Sequence, residues 1–230
     1  LEWKRRMKRC ANVSLYDALS RLTGVSFPYG ALIGIRPAKL LRQIEENPEF
    51  DADRYFLDFL KVQPEKLEAL KRINRRQAPY LKPDPCGAVL YVGIPFCNGR
   101  CSYCSFTSCD INRAQKLVEP YAVALEREIQ DTLALVREQG IGIRALYFGG
   151  GTPSSLPLEL ISRLLGLFDG LSVPEYTFEA GRPDSITHEL LGLLKAHGVS
   201  RVSVNPQTVH EATLERIGRR HTYAQFLEAY

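Results

Sequence analysis

AVLYVGIPFCNGRCSYC, residues 88–104, joins a run of strand-forming apolar residues directly to three closely spaced cysteines. Residues 88–94 read as a buried strand, because a short apolar run rich in Val, Leu, Tyr and Ile suits a sheet covered on both faces. Three more runs of this kind follow: ALYFGG (145–150), EYTFEA (175–180) and RVSVNP (201–206). Between them lie helical patterns, EPYAVALEREIQDTLALVREQG (119–140), LELISRLLGLFDG (158–170) and ITHELLGLLKAHG (186–198), the last two ending in the Gly that stops a helix. Strand and helix alternating in this way predict an α/β fold, either a right-handed parallel sheet or an open barrel. Four such units are fewer than a closed eight-fold barrel needs.

Upstream, residues 1–84 read as a small, mainly helical domain. SLYDALSRLTG, FLDFLKV and EKLEALKRI carry apolar residues at helical spacing, and FPYG and IRP between them are turn signals. APYLKPDPCG (78–87) holds three prolines that disfavour regular helix, so the boundary to the second domain, 85–230, is placed there.

In parallel α/β folds, function gathers where strands end at their C-terminal edge. Each unusual motif here follows a strand: the cysteine loop the first, FGGGTP (148–153) the second, EAGRPD (179–184) the third and NPQT (205–208) the fourth. Cys97, Cys101 and Cys104 have the spacing of a three-thiolate [4Fe-4S] loop, which leaves one iron without a protein ligand and open to a small molecule, for which S-adenosylmethionine is the expectation. A zinc site and a disulfide framework compete with this reading. Zinc favours four ligands in close pairs and no His lies in the loop, while four of the six cysteines crowd into residues 97–109 of a chain too long for a disulfide miniprotein. Cys10, Cys86 and Cys109 receive no role; Cys109 follows the triad closely enough to be an alternative ligand, but its simplest reading is a small, mostly buried residue.

Gly149, Gly150 and Gly151 let the backbone approach a ligand closely, although a tight turn would use them equally well, and Thr152 and Pro153 are expected to cap and start the next segment. Glu179, a carboxylate at the end of an apolar strand, needs a ligand amine, a hydroxyl or an arginine, and Arg182 is near enough to be that partner. Gln207 is placed to donate and accept, and one of Arg219 and Arg220 to grip a carboxylate while the other is solvated. His188, His197, His210 and His221 read as surface residues.

The 230 residues are 45% hydrophobic with a formal net charge of +4, an ordinary globular composition. Much of the positive charge sits in Lys4, Arg5, Arg6, Lys8 and Arg9, read as an exposed helix face rather than a nucleic-acid site. No apolar run approaches the ~20 residues of a membrane span. A cytoplasmic protein is expected. A start at Leu1 and an end inside the amphipathic RRHTYAQFLEAY suggest a piece of a longer chain.

YVGIPFCNGRCSYC, LYFGGGTPS, FEAGRPDSIT and RVSVNPQTVHEATLERIGRRHT resemble, in order and spacing, the radical S-adenosylmethionine enzymes of the oxygen-independent coproporphyrinogen III oxidase family. AGRPD, NPQT and the N-terminal LYDALSRLTGVSFPYGALIGIRPAKL resemble its HemZ-like branch, the coproporphyrinogen dehydrogenases, as do Gly93, Ser105 and Phe106 where other oxidases carry a His and a Gly-Cys pair. The resemblance implies the first part of a radical S-adenosylmethionine (β/α) barrel. It implies that Cys97, Cys101 and Cys104 hold the [4Fe-4S] cluster, that Tyr91, Tyr103, Gly150 and Glu179 contact its S-adenosylmethionine, and that Gly151, Thr152, Gln207 and Arg219 contact a second one. The activity implied is radical-driven decarboxylation of two propionates of coproporphyrinogen III to the vinyls of protoporphyrinogen IX, in porphyrin and haem biosynthesis, fed by a low-potential electron donor. Relatives that chaperone haem imply the alternative, a haem-binding protein without oxidase activity. With the later barrel units and the substrate-covering domain absent, residues 1–230 alone are expected to assemble a cluster but not to turn over.

Overall fold

The computed structural model describes residues 2–34, 36–81 and 84–230. It divides into two compact units, Leu1–Pro83 and Asp84–Tyr230.

The first unit is helical: α1 (Glu2–Thr23), α2 (Pro37–Glu45), α3 (Ala52–Arg54) and α4 (Pro64–Gln77). Asp51 caps α3 by accepting from the Arg54 amide at 3.0 Å, and the chain then widens into a π-type turn, Tyr55–Phe59. FLDFLKV therefore forms this wide turn and its exit rather than an independent α-helix. Leu41, Phe56, Leu60, Leu67 and Leu70 are almost fully buried and form the unit's core.

In the second unit four strands, β1 (Gly87–Ile94), β4 (Gly142–Gly150), β5 (Glu175–Gly181) and β6 (Arg201–Val204), lie side by side in that order, all parallel. These are the four runs read from the sequence. Helices α5 (Gln115–Glu138), α6 (Leu158–Gly166) and α7 (His188–Ala196) connect them, and α8 (Glu211–Arg216) and α9 (Tyr223–Ala229) follow. Helix α5 starts before the sequence pattern suggested and carries Pro120 inside it, while α6 stops at Gly166 and the LFDG segment turns away.

Side chains alternate across the sheet. Val92, Ile94, Leu146, Phe148, Tyr176, Phe178 and Ala180 face the helices and pack with Ala122, Leu125, Ile161, Leu164, Leu165, Leu190 and Leu194, all buried. Burying each such Val, Leu, Ile or Phe contributes about 1.5–3 kcal/mol. The opposite face presents Tyr91, Tyr147, Thr177 and Glu179. One face is thus an anchor and the other is free for chemistry.

A second ladder was not foreseen: β2 (Phe96–Cys97) pairs in parallel with β3 (Cys109–Asp110). It closes the base of the cysteine loop. Cys109 is exposed there, not buried, because its amide and thiol both reach the Pro95 carbonyl at the sheet's edge, at 2.8 and 3.5 Å. Among the described residues no helix is long and apolar enough to cross a membrane.

Candidate functional site

The cysteine loop leaves β1 through Pro95 and passes directly over the glycine triplet that ends β4. Gly151 donates its amide to the Ile94 carbonyl and Thr152 its amide to the Phe96 carbonyl, each at 2.7 Å. The approach requires glycine: a Cβ on Gly151 would sit 2.6 Å from the Phe96 carbonyl oxygen and 2.8 Å from Cys97 Sγ. Gly150 has φ +108°, a conformation that side chains resist. The triplet is therefore a close-approach surface and more than a turn.

Cys97 is buried in this contact. Thr152, 4% exposed, does not cap the short 3₁₀ turn after it; its hydroxyl lies 3.4 Å from Cys97 Sγ. Cys101 and Cys104 are half-buried further along the loop, where the Cys104 amide donates to the Cys101 carbonyl at 3.0 Å. Among the described residues no three Cys, His, Asp or Glu side chains already converge as a metal-holding group. The three thiols share one loop, clipped at its base by the β2–β3 ladder.

Beside this loop, the other sheet face carries a carboxylate next to a stacked pair of phenols. Tyr91 and Tyr147, paired in register on β1 and β4, stack with ring centroids 5.7 Å apart and planes 12° from parallel. A Cβ on Gly149 would meet Tyr147 Cε1, Glu179 Oε2 and Tyr91 Oη at 2.7–2.9 Å, so all three groups close over that one glycine. Burial raises the Glu179 pKa, and the Tyr147 phenol acts in the opposite sense. Burial also raises both tyrosines, with the Glu179 charge adding to it. A half-buried carboxylate left in this state is ready for an ammonium or hydroxyl partner. Arg182 is not that partner: its Nε donates to Asp184 at 3.2 Å and its Nη1 to the Gly99 carbonyl of the cysteine loop at 3.3 Å.

The third group is cationic. Arg219 is 8% exposed, and its Nη1 donates to the Gly181 and Asn205 carbonyls at 3.2 and 3.4 Å. Arg220 beside it is exposed. Tyr103 leans towards Arg219 and Cys101; burial raises its pKa, and the arginine opposes that rise. His221, expected at the surface, is 3% exposed, because its Nε2 is drawn to the Pro206 carbonyl at 3.3 Å. Burial lowers its pKa. Gln207 is exposed and holds φ +64° in a turn closed by the Thr208 amide on the Pro206 carbonyl at 2.8 Å, a strained γ-turn of the kind that marks ligand-facing loops. Gly99, Arg100, Gly218, Arg219 and His221 border a cleft of about 750 Å³.

Three buried polar atoms near this cleft lack a protein partner among the described residues. Arg182 Nη2, Arg219 Nε and His221 Nδ1 are buried with no hydrogen-bond partner. Each such group costs free energy until something fills the gap. A ligand carboxylate near the two arginines, an ammonium at Glu179 and a cluster on three thiols therefore fit the residues present. Tyr147, Arg182 and His221 were not assigned from the sequence. Tyr147 was legible by alternation, standing two residues before Gly149 on the face of Tyr91; Arg182 was read only as a partner for Glu179, and nothing local marked the burial of His221.

A four-stranded parallel sheet with a CxxxCxxC loop after its first strand and a glycine triplet after its second defines a class, and a family model for the Radical SAM superfamily matches residues 91–230. The chain belongs to that superfamily. It is similar to the oxygen-independent coproporphyrinogen-III oxidase-like protein HemZ of Bacillus subtilis, at 34% identity over 99% of this chain and 48% of the relative. It is also similar to the heme chaperone HemW of the same organism, at 36% identity over 57% of this chain and 35% of that protein. Among solved structures, the Escherichia coli coproporphyrinogen III oxidase HemN, a radical SAM enzyme, superposes with TM-score 0.56 at 28% identity, covering 66% of this chain and 35% of that one. The chain spans about half the length of the HemZ relative.

Proposed function

We propose that this chain is the cluster-bearing part of a radical S-adenosylmethionine enzyme that decarboxylates coproporphyrinogen III to protoporphyrinogen IX. The observation that carries the reading is the gathering of Cys97, Gly151, Thr152, Glu179 and Arg219 at the C-terminal ends of parallel strands, beside buried donors that lack partners. Cys97, Cys101 and Cys104 would hold a [4Fe-4S] cluster. Glu179, with Tyr91 and Tyr147 around it, would take the ammonium of S-adenosylmethionine, and the close backbone at Gly150 would lie along it. When bound, cluster and S-adenosylmethionine supply a 5'-deoxyadenosyl radical able to remove hydrogen from a propionate.

The chain's own residues orient and seal. Arg182 ties the EAGRPD turn to the cysteine loop through the Gly99 carbonyl. Arg219, with Tyr103 beside it, would offer its Nε to a carboxylate, either of a second S-adenosylmethionine or of the substrate, and Gly151, Thr152 and Gln207 would contact that second molecule. The hydroxyl of Thr152 keeps a donor on Cys97 Sγ.

The similarity to HemW favours a second reading, a protein of the same fold that carries haem and oxidises no porphyrinogen. The parent protein, reconstituted anaerobically and reduced by a low-potential one-electron donor, is incubated with S-adenosylmethionine and coproporphyrinogen III. Cysteine-dependent 5'-deoxyadenosine and vinyl products, both lost in Cys101→Ala, are expected. Haem binding with no porphyrinogen consumption would replace the oxidase reading with the chaperone one.

A further inference from the structure

We propose that the N-terminal unit carries a second binding site, a groove between α1 and the turn around Phe50 and Tyr55, for a planar aromatic ligand with its carboxylates along one edge. The proposal is independent of the radical chemistry, since every residue in it lies in residues 1–83.

The groove has a volume of about 550 Å³, within the ordinary range for small-ligand pockets. One wall is Arg5, Arg6 and Arg9 of α1; the floor includes Ile44, Phe50 and Tyr55. Two of the guanidiniums are held in place by that floor. Arg6 lies 5.9 Å above the Phe50 ring, and Arg9 Nη1 donates to Tyr55 Oη at 3.2 Å. The rings form one surface, Phe50 edge-on to Tyr55 at 5.7 Å and Tyr55 against Phe59 at 5.2 Å. Arginines stacked on aromatics keep their outer N–H groups available in the fork that matches a carboxylate.

The arginine wall has charge to spare. Lys4, Arg5, Arg6, Lys8 and Arg9 repel one another at helical spacing, yet among the described residues no carboxylate forms an ion pair with Arg5, Arg6 or Arg9. Across the groove the lining is mostly apolar or neutral, Leu40, Gln43, Ile44 and Asn47, with Glu46 its one carboxylate, paired with Arg42 at 3.9 Å. A ligand charged all round, or a phosphodiester strand running through, would leave the cationic wall only to press its charge on Leu40, Ile44 and the aromatic rings. A ligand with its anionic groups on one edge and a flat apolar body meets the arginines with the first and the rings with the second.

The test titrates metal-free mesoporphyrin IX, whose two propionates share one edge and which has no iron to bind thiols, into the chain Leu1–Tyr230 and follows porphyrin fluorescence. Saturable binding is expected that weakens with salt, weakens about tenfold or more in the Arg6→Gln, Arg9→Gln double variant, is lost with the dimethyl ester, and is unchanged in Cys101→Ala. The last arm separates this site from the cluster site, so either reading can fail alone. Should the double variant unfold, Arg5→Gln carries the test with the same direction of change, since Arg5 makes no hydrogen bond or ion pair among the described residues. Absence of saturable binding, an affinity indifferent to the arginines, or displacement by a short oligothymidylate at equal concentration would overturn the proposal.

Discussion

Replacing Gly151 by alanine tests the claim that the glycine triplet exists to let two backbones and a thiol meet. The added Cβ would lie 2.6 Å from the Phe96 carbonyl oxygen, 2.8 Å from Cys97 Sγ and 3.1 Å from the Ile94 carbonyl oxygen. Two of these three atoms are backbone, and both accept hydrogen bonds at 2.7 Å from Gly151 and Thr152 themselves. Relief by moving either strand end therefore stretches the bonds that join the cysteine loop to β4. Overpacking of this kind costs about 1–3 kcal/mol. Weakening one such hydrogen bond adds about 0.5–1.5 kcal/mol, for roughly 2–4 kcal/mol together. With a urea slope of about 1–3 kcal/mol/M, the unfolding midpoint should fall by about 1–2 M. Two alanine variants separate the causes. Gly149→Ala meets only the ends of the Tyr91, Tyr147 and Glu179 side chains, which can shift, so stability should change little. Gly170→Ala meets nothing within 4 Å but sits at φ +79°, and should cost about 1–2 kcal/mol of backbone strain with no effect at the cysteines. Iron per chain after anaerobic reconstitution is the second readout. Only Gly151→Ala should lose it, because only that Cβ presses on Cys97. A Gly151→Ala protein with the parent midpoint and full iron would refute the close-approach argument.

Glu179→Gln should make the unliganded chain more stable near neutral pH. Burial holds the Glu179 pKa above its ordinary 4.5, so its favourable contribution is complete below that value and is lost as pH rises through the folded pKa. Denaturant midpoints of parent and variant should coincide at about pH 4 and diverge above it; coincidence at neutral pH as well would contradict the buried-carboxylate reading. His221 runs the other way. Its pKa is lowered from 6.5 by burial, so its stability is present above the ordinary value and lost as pH falls through the folded one, and His221→Gln should flatten the acid side of the stability profile. Arg182→Met should lower stability by about 2–4 kcal/mol by cutting the Gly99 and Asp184 contacts, and proteolysis should then reach the cysteine loop first. Equal cleavage rates would place the loop's order elsewhere.

The strands were legible because they are short apolar runs set between helical patterns, though the reading of a sheet covered on both faces missed the alternation that turns Tyr91, Tyr147 and Glu179 to one side; the cysteines, glycines and Glu179 stood out because their residue types are unusual at strand ends. The rest was set by contacts between distant residues. Gly99 and Arg182 meet through a guanidinium that the sequence offered equally to Glu179, and the short range of that choice hid it. His221 looked like a solvated histidine after two arginines until the Pro206 carbonyl drew it inward. Thr152 had the position of a cap, but a sulfur fifty-five residues away in sequence took its hydroxyl. The two-residue ladder had no periodicity to announce it.

That ladder changes what a cluster must do on arrival. The Cys109 amide on Pro95 and the Ile111 amide on Cys97, at 2.8 and 2.9 Å, pin both ends of residues 98–108 together before any iron is present. The end-to-end search of a free loop, whose entropy grows with the logarithm of its length, is already over. The cysteine-bearing segment is thus a hoop whose ends are fixed to its neighbours by protein atoms alone, so a cluster held there would add to the loop's order without having to close it.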